Sequence, residues 1–346
     1  MKHLFKAALA AFVVIAVLSV CGCTADKFEY SDFFAMNTYV SVSAQGADKQ
    51  ILDNIRTAFT EYEKQLSAHY DGSVINSPES SDAESYQNTM ILLKQAHSIS
   101  EATNGAFDFT LGAVTKLWNI TGNSPSVPSQ NEISEALSHC GYDKISFSDG
   151  RFYSSDNKLS IDLGAIAKGY AGDRGMEILK NSGIANASIS VGGNVTVIGS
   201  SPANLKCGTK GWKVGIKNPF DTSDILGTVN ISDATVSVSG SYERYFTQNG
   251  KIYHHIFDST TGYPAESDLI SVAVICRDAT IADALSTALF VMGYDKAMDF
   301  CNSNIYDIGA VFCTADGRVF TTDNIKDDFI PNTNAKLSSS AHIKFN

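Results

Sequence analysis

Asp283 and Thr287 stand four residues apart in a stretch otherwise rich in Ala, Leu, Ile and Phe. At helical spacing this puts a carboxylate and a hydroxyl on one face, one turn apart. Hard oxygen donors of this kind suit Mg²⁺. A carboxylate on so apolar a helix costs free energy unless a partner meets it; a salt-bridged acid at a helix start is the structural alternative. Upstream, Asp162 and Lys168 lie among the small residues Gly164, Ala165, Ala167 and Gly169, which leave room for a large ligand. The acid suits a ring N–H and the lysine a phosphate. A plain strand-to-helix turn, its acid complementing the helix dipole, reads equally well. His255, a candidate base, precedes Asp258, its candidate partner, although a histidine on a strand is often structural. Gly192-Gly193-Asn194 could bring backbone N–H groups to a ligand, or form a plain tight turn.

These groups need elements to hold them. The pattern predicts a short polar tether, a strand over 38–43, a helix through Ile51, Ile55, Phe59, Tyr62 and Leu66, and a second over 83–102 stopped at Asn104-Gly105. Residues 121–130 read as a surface loop, followed by a short helix over 132–139. From Lys144 the signal changes to short strands with glycine punctuation, at 151–153, 158–162, 187–191, 196–199, 213–216, 228–231 and 235–238. One helix, 166–180, interrupts them. A strand over 269–275, a helix over 279–292, another ending at Cys301 and a strand pair within 310–321 complete the chain. Runs of strands with few helices argue an α+β fold of mixed and antiparallel sheets with packed helices.

With 346 residues, 44% apolar and 18% charged, the chain can bury a full core. Its net charge of −11 offers no footprint for a phosphate backbone, so nucleic acid is not an expected partner. No GxGxxG opens a helix and no GxxxxGK[ST] occurs, which disfavours Rossmann and P-loop enzymes. Cys140, Cys207, Cys276, Cys301 and Cys313 lie at wide intervals and fit buried free thiols better than a disulfide framework.

Taken in order, Met36-Asn37-Thr38-Tyr39, Gly105-Ala106-Phe107-Asp108, the stretch 162–170, Val191 through Asn194, Ser239-Gly240-Ser241-Tyr242-Glu243-Arg244-Tyr245, the stretch 255–264 and Asp283 with Thr287 resemble the ApbE family of FAD:protein FMN transferases. The resemblance covers nearly the whole mature chain and implies an ApbE-like, T-fold-like architecture. The implied activity is Mg²⁺-dependent: FAD is split at its pyrophosphate, FMN passes to a threonine hydroxyl of an exported flavoprotein as a phosphoester, and AMP leaves. The resemblance further implies Ala165 (through its carbonyl), Asp283 and Thr287 as metal ligands. Ala106, Phe107, Asp108, Asp162, Lys168, His255, Ile256 and Phe257 become FAD contacts, with Met36 against the flavin and Tyr70 in place of a tyrosine expected near His69. Asp283 and His255 are then the catalytic pair, the imidazole accepting the acceptor's proton with an ordinary pKa of about 6.5. The family usually has Gly where Asn37 stands, Pro at Phe109 and Ser259, and Asp at Ser241. Two rivals remain at this level: an FAD pyrophosphatase yielding FMN and AMP, and a flavin-binding lipoprotein without chemistry.

The first 22 residues carry Lys2 and Lys6 and then an uncharged apolar run of 14 residues, 7–20. That is shorter than the roughly 20 a spanning helix needs and reads as a signal peptide. Gly22 before Cys23 resembles a lipobox, making Cys23 the lipidated first residue of a mature domain over 23–346, built as one compact body or two lobes. Without Lys2 and Lys6 the mature chain has 24 basic and 37 acidic residues, a net −13. Charge alone would not hold it to anionic lipid, so the acyl chains would. The expected location is the outer face of the cytoplasmic membrane or the periplasm.

Overall fold

The computed structural model describes residues 27–78 and 81–335. Numbered in chain order, its strands are β1 (Phe28–Ala35), β2 (Thr38–Gln45), β3 (Ile145–Ser148), β4 (Arg151–Ser154), β5 (Ala187–Val191), β6 (Asn194–Ile198), β7 (Trp212–Lys217), β8 (Ile225–Ile231), β9 (Ala234–Gly240), β10 (Tyr245–Gln248), β11 (Lys251–His254), β12 (Leu269–Cys276), β13 (Gly309–Thr314), β14 (Val319–Thr321) and β15 (Phe329–Pro331). The helices are α1 (Lys49–Leu66), α2 (Ala83–Ala102), α3 (Gly112–Trp118), α4 (Gln130–Ser138), α5 (Ala167–Asn181), α6 (Pro202–Cys207), α7 (Ala279–Met292) and α8 (Tyr294–Asn302). Eight strands form the main sheet in the order β1-β2-β5-β6-β9-β12-β13-β14. Every pair in it is antiparallel.

Central strand β12 explains the layering. It is apolar at nearly every position and buried on both faces. Val272 and Val274 enter the core beneath α2, α7 and α8, whereas Ala273 and Ile275 enter the core shared with the small sheet β15-β8-β7. A period of two thus feeds two cores from one strand. Helices, main sheet and small sheet form three layers, consistent with the α+β expectation.

Helix α7 is apolar almost all round because it lies between the sheet and α5. Its first amides are held twice. Asp278 accepts from the Ile281 N–H, while Asp173 of α5 accepts from the N–H groups of Ala279 (2.9 Å) and Thr280 (2.8 Å). The helices cross closely at Gly169, where an added Cβ would lie 2.1 Å from the Ala279 carbonyl oxygen.

Two expectations are corrected. Residues before Thr38 are not merely a polar tether: 28–35 form β1, whose Phe33 packs edge-on against Phe59 of α1 at 5.8 Å while Tyr30 and Phe34 face outward. Met36 and Asn37 form its two-residue turn with φ of +56° and +53°, the left-handed pair that suits the twist of a hairpin. The stretch 158–162 is no strand, since only Ser160 pairs, in an isolated parallel bridge to Leu111. Side-chain turns anchored on Asp156 and Asp162 bend the chain on either side of it. Among the described residues no helix is long and apolar enough to cross a membrane, and the leader and Cys23 lie outside them. The five cysteines among the described residues are free; Cys207 is exposed, against the buried thiols expected, and the other four are buried.

Candidate active site

Asp283 is 2% exposed, so each carboxylate oxygen needs partners. Asn194 Nδ2 donates to Oδ1 at 2.8 Å and Ser237 Oγ reaches it at 3.3 Å. The Gly169 N–H donates to Oδ2 at 2.9 Å. Lys168 Nζ lies 3.1 Å from Oδ1 and 3.4 Å from Oδ2. The ion pair read as the structural alternative for this acid is therefore present, and three neutral donors hold the carboxylate beside it.

Gly169 gives away the amide that a regular helix would direct four residues back, to Ala165. The next amide, of Tyr170, does reach its counterpart, the Ile166 carbonyl, at 3.1 Å. The Ala165 carbonyl is thus left without the helical donor it would otherwise have. One turn beyond Asp283, the Thr287 hydroxyl lies 3.1 Å from Ser239 Oγ. A carboxylate, a freed carbonyl and a hydroxyl are hard oxygen donors and fit a cation such as Mg²⁺. Among the described residues no three His, Cys, Asp or Glu side chains group as metal ligands, so a cation here draws mostly on neutral oxygens.

His255 follows the end of β11. Its Nδ1 lies 3.2 Å from the carbonyl oxygen of Arg244, which can only accept, so Nδ1 carries the proton and Nε2 the lone pair. Burial, then the positive charges of Arg244 and Lys168, push the imidazole down to about 3. This corrects the expected titration near 6.5: the ring is neutral and weakly basic. Asp258 is not its partner either, since its Oδ1 accepts from the Thr260 N–H and hydroxyl, each at 2.7 Å. Burial also raises the Glu243 carboxyl, an effect that Lys168, Lys217 and Arg244 oppose. Lys168 and Arg244 therefore act on the same neighbourhood as His255 and Glu243.

The remaining expected contacts divide by how they face. Phe107, Ile256 and Phe257 are 2%, 4% and 6% exposed and pack into cores, so their side chains face away from a ligand. Asp108 joins its own loop to the turn at Tyr142, accepting from Thr110 Oγ1 at 2.6 Å and from the Tyr142 N–H at 3.2 Å. Asp162 holds a turn, accepting from the Gly164 N–H at 2.8 Å and from Thr115 Oγ1 at 2.7 Å. Ser259 Oγ donates to the Gly105 carbonyl at 2.7 Å, which ties the loop bearing Ala106 to the one following His255. Met36 packs against both the core beneath α2, α7 and α8 and a second core that α1 and α5 form on β1, β2 and β5, and its turn receives Arg244, whose guanidinium lies 3.4 Å from the Asn37 carbonyl. Tyr70 is 52% exposed, in a loop where its carbonyl accepts from the Ser73 N–H and from Asn76 Nδ2.

The ApbE family model matches residues 36–312. The chain belongs to the ApbE family. Among curated proteins, it is 32% identical over 295 residues to a FAD:protein FMN transferase of Treponema pallidum, covering 80% of each chain. It is 34% identical over 226 residues to one of Klebsiella pneumoniae, covering 64% of this chain and 68% of that protein. Among solved structures, the ApbE protein of Thermotoga maritima superposes with a TM-score of 0.76 at 35% identity, covering 87% of this chain and 99% of the other.

Sequence reasoning did not foresee how β9 serves this ApbE site, although Ser239 stood in one of the stretches that carry the resemblance. Thr235, Ser237 and Ser239 alternate along β9 and meet Thr196, Asp283 and Thr287 respectively. Three hydroxyls at period two in an otherwise apolar strand were the available signal. Asn194, singled out only as part of a glycine turn, proves to be a carboxylate donor that also accepts from the Val238 N–H at 3.3 Å.

Proposed function

We propose that this chain is a flavin transferase that moves FMN from FAD to a threonine hydroxyl of an exported flavoprotein, forming a phosphoester and releasing AMP with Mg²⁺ bound. The observation that supports this most is the buried Asp283 carboxylate, which takes the Gly169 N–H that a regular helix would give to the Ala165 carbonyl, with the Thr287 hydroxyl one turn further along α7. Those three groups would hold Mg²⁺, which when bound offsets charge on the pyrophosphate oxygens. Lys168 and Arg244 supply the protein's own positive charge to phosphates entering that neighbourhood. The neutral His255 presents Nε2 as a hydrogen-bond acceptor that orients an attacking hydroxyl. A loose transition state asks little of a base, so a weakly basic imidazole suffices for that role. Gly22 and Cys23 support a further proposal: residues 1–22 are removed and the domain from Cys23 onward is lipid-anchored on the outer side of the membrane.

The test incubates the mature domain with FAD, Mg²⁺ and an exported flavoprotein, and measures acceptor mass and free AMP. A mass gain of one FMN with AMP supports transfer, AMP alone indicates hydrolysis, and neither product indicates binding without chemistry. Asp283→Ala is expected to abolish both products while FAD binding persists in part. Full activity of that variant at low Mg²⁺ would sink the metal assignment.

A further inference from the structure

Asp283 has no idle oxygen. Oδ1 is met by Asn194, Ser237 and Lys168, and Oδ2 by the Gly169 N–H and Lys168. Only one of these partners carries charge and only one can leave. Asn194 and Ser237 are fixed on strands and fully buried, and the Gly169 N–H belongs to a helix backbone. Lys168 sits on a flexible four-carbon stem with its side chain 23% exposed, and its Nζ also lies 3.3 Å from the Gly164 carbonyl. A metal cation approaching Asp283 meets an ammonium that already touches both of its oxygens. A diphosphate entering beside it offers that ammonium a competing anion.

We infer that Lys168 is an exchangeable counter-ion. It holds the cation's place on Asp283 while the site is empty and moves to the diphosphate when FAD arrives, so metal and FAD bind cooperatively through this one side chain. The inference rests on the flavin-transfer reading of the site. The three neutral donors keep the carboxylate in position throughout, so no rearrangement of α7 is needed. Linkage makes the coupling reciprocal: FAD tightens the metal by the factor by which the metal tightens FAD.

The mature chain provides the test. Mn²⁺ binding is followed through the electron paramagnetic resonance signal of the free ion. FAD affinity is followed by stopped-flow flavin fluorescence with EDTA or with saturating Mg²⁺, read before AMP forms. Saturating Mg²⁺ is expected to tighten FAD on the wild type by about tenfold or more, within the usual range of coupling between sites. Lys168→Met is expected to bind Mn²⁺ more tightly than wild type without FAD, by a similar factor, and to lose most of the metal dependence of FAD affinity. Lys168→Arg, which keeps the charge, restores the wild-type pattern. Should the Met variant fail to fold by circular dichroism, Lys168→Gln is read the same way. Unchanged or weaker Mn²⁺ binding in the neutral variant, or wild-type FAD affinity indifferent to metal, overturns the exchange and leaves the transfer reading intact. A wild type that binds neither Mn²⁺ nor FAD overturns the transfer reading itself.

Discussion

At the residue scale, His255 shows how environment sets chemistry. Its neutral form is favoured in the folded chain, with the pKa pushed down from the ordinary 6.5 to about 3. Between those values the unfolded chain binds the extra proton and the folded one does not, so this residue's contribution makes stability rise with pH from about 3 to about 6.5. The expected outcome in ¹H–¹⁵N spectra of the imidazole is a Nδ1-protonated neutral ring throughout pH 5 to 8. A titration midpoint near 6.5 in the ligand-free protein would count against the arrangement with Arg244. The residue types that carry this site were legible in the sequence, Asp283 and Thr287 above all, because helical spacing alone puts them on one face. The state of His255 was not, because it is set by Arg244 from across the β10–β11 hairpin and by Lys168 from α5, neither of which local pattern places beside the ring.

At the scale of elements, the crossing of α5 over α7 decides where the carboxylate stands. A Cβ on Gly169 would fall 2.1 Å from the Ala279 carbonyl oxygen and 2.8 Å from Asp283 Cβ. Both are rigid parts of a neighbouring helix, so α5 and α7 must separate. Gly169→Ala is expected to destabilise the fold by about 1–3 kcal/mol, as overpacking does, seen as a lower urea midpoint, and to weaken Mn²⁺ binding by displacing Asp283. A variant as stable and as metal-competent as wild type would mean that the close crossing is unimportant. Most elements were readable: α2 and α7 run from residue to residue as periodicity and capping suggest, with Asp82 and Asp278 as their caps. The glycine was misread as space for a ligand, since packing between segments 110 residues apart leaves no trace in local pattern. β1 escaped notice because Tyr30, Asp32 and Phe34 on its outward face hide the inward Phe33 and Ala35.

At the scale of the whole molecule, three layers leave the main sheet buried on both faces in its centre, while β1 sits at its edge. The run of short strands with few helices already pointed to an α+β fold; the order in which eight strands pair could not be read, because every pairing beyond a hairpin is non-local. Placement in the cell is testable on the same scale. Cys23→Ser is expected to move the protein from the membrane fraction to the soluble one on immunoblots, whereas persistence in the membrane fraction would refute the lipid anchor.

The start of β1 at Phe28 would give such an anchor a short leash. From Cys23 to Phe28 the backbone spans at most about 17 Å when fully extended. A lipidated chain would then be moored close to the bilayer and unable to roam, and an acceptor would have to bring its threonine within reach of that shoreline.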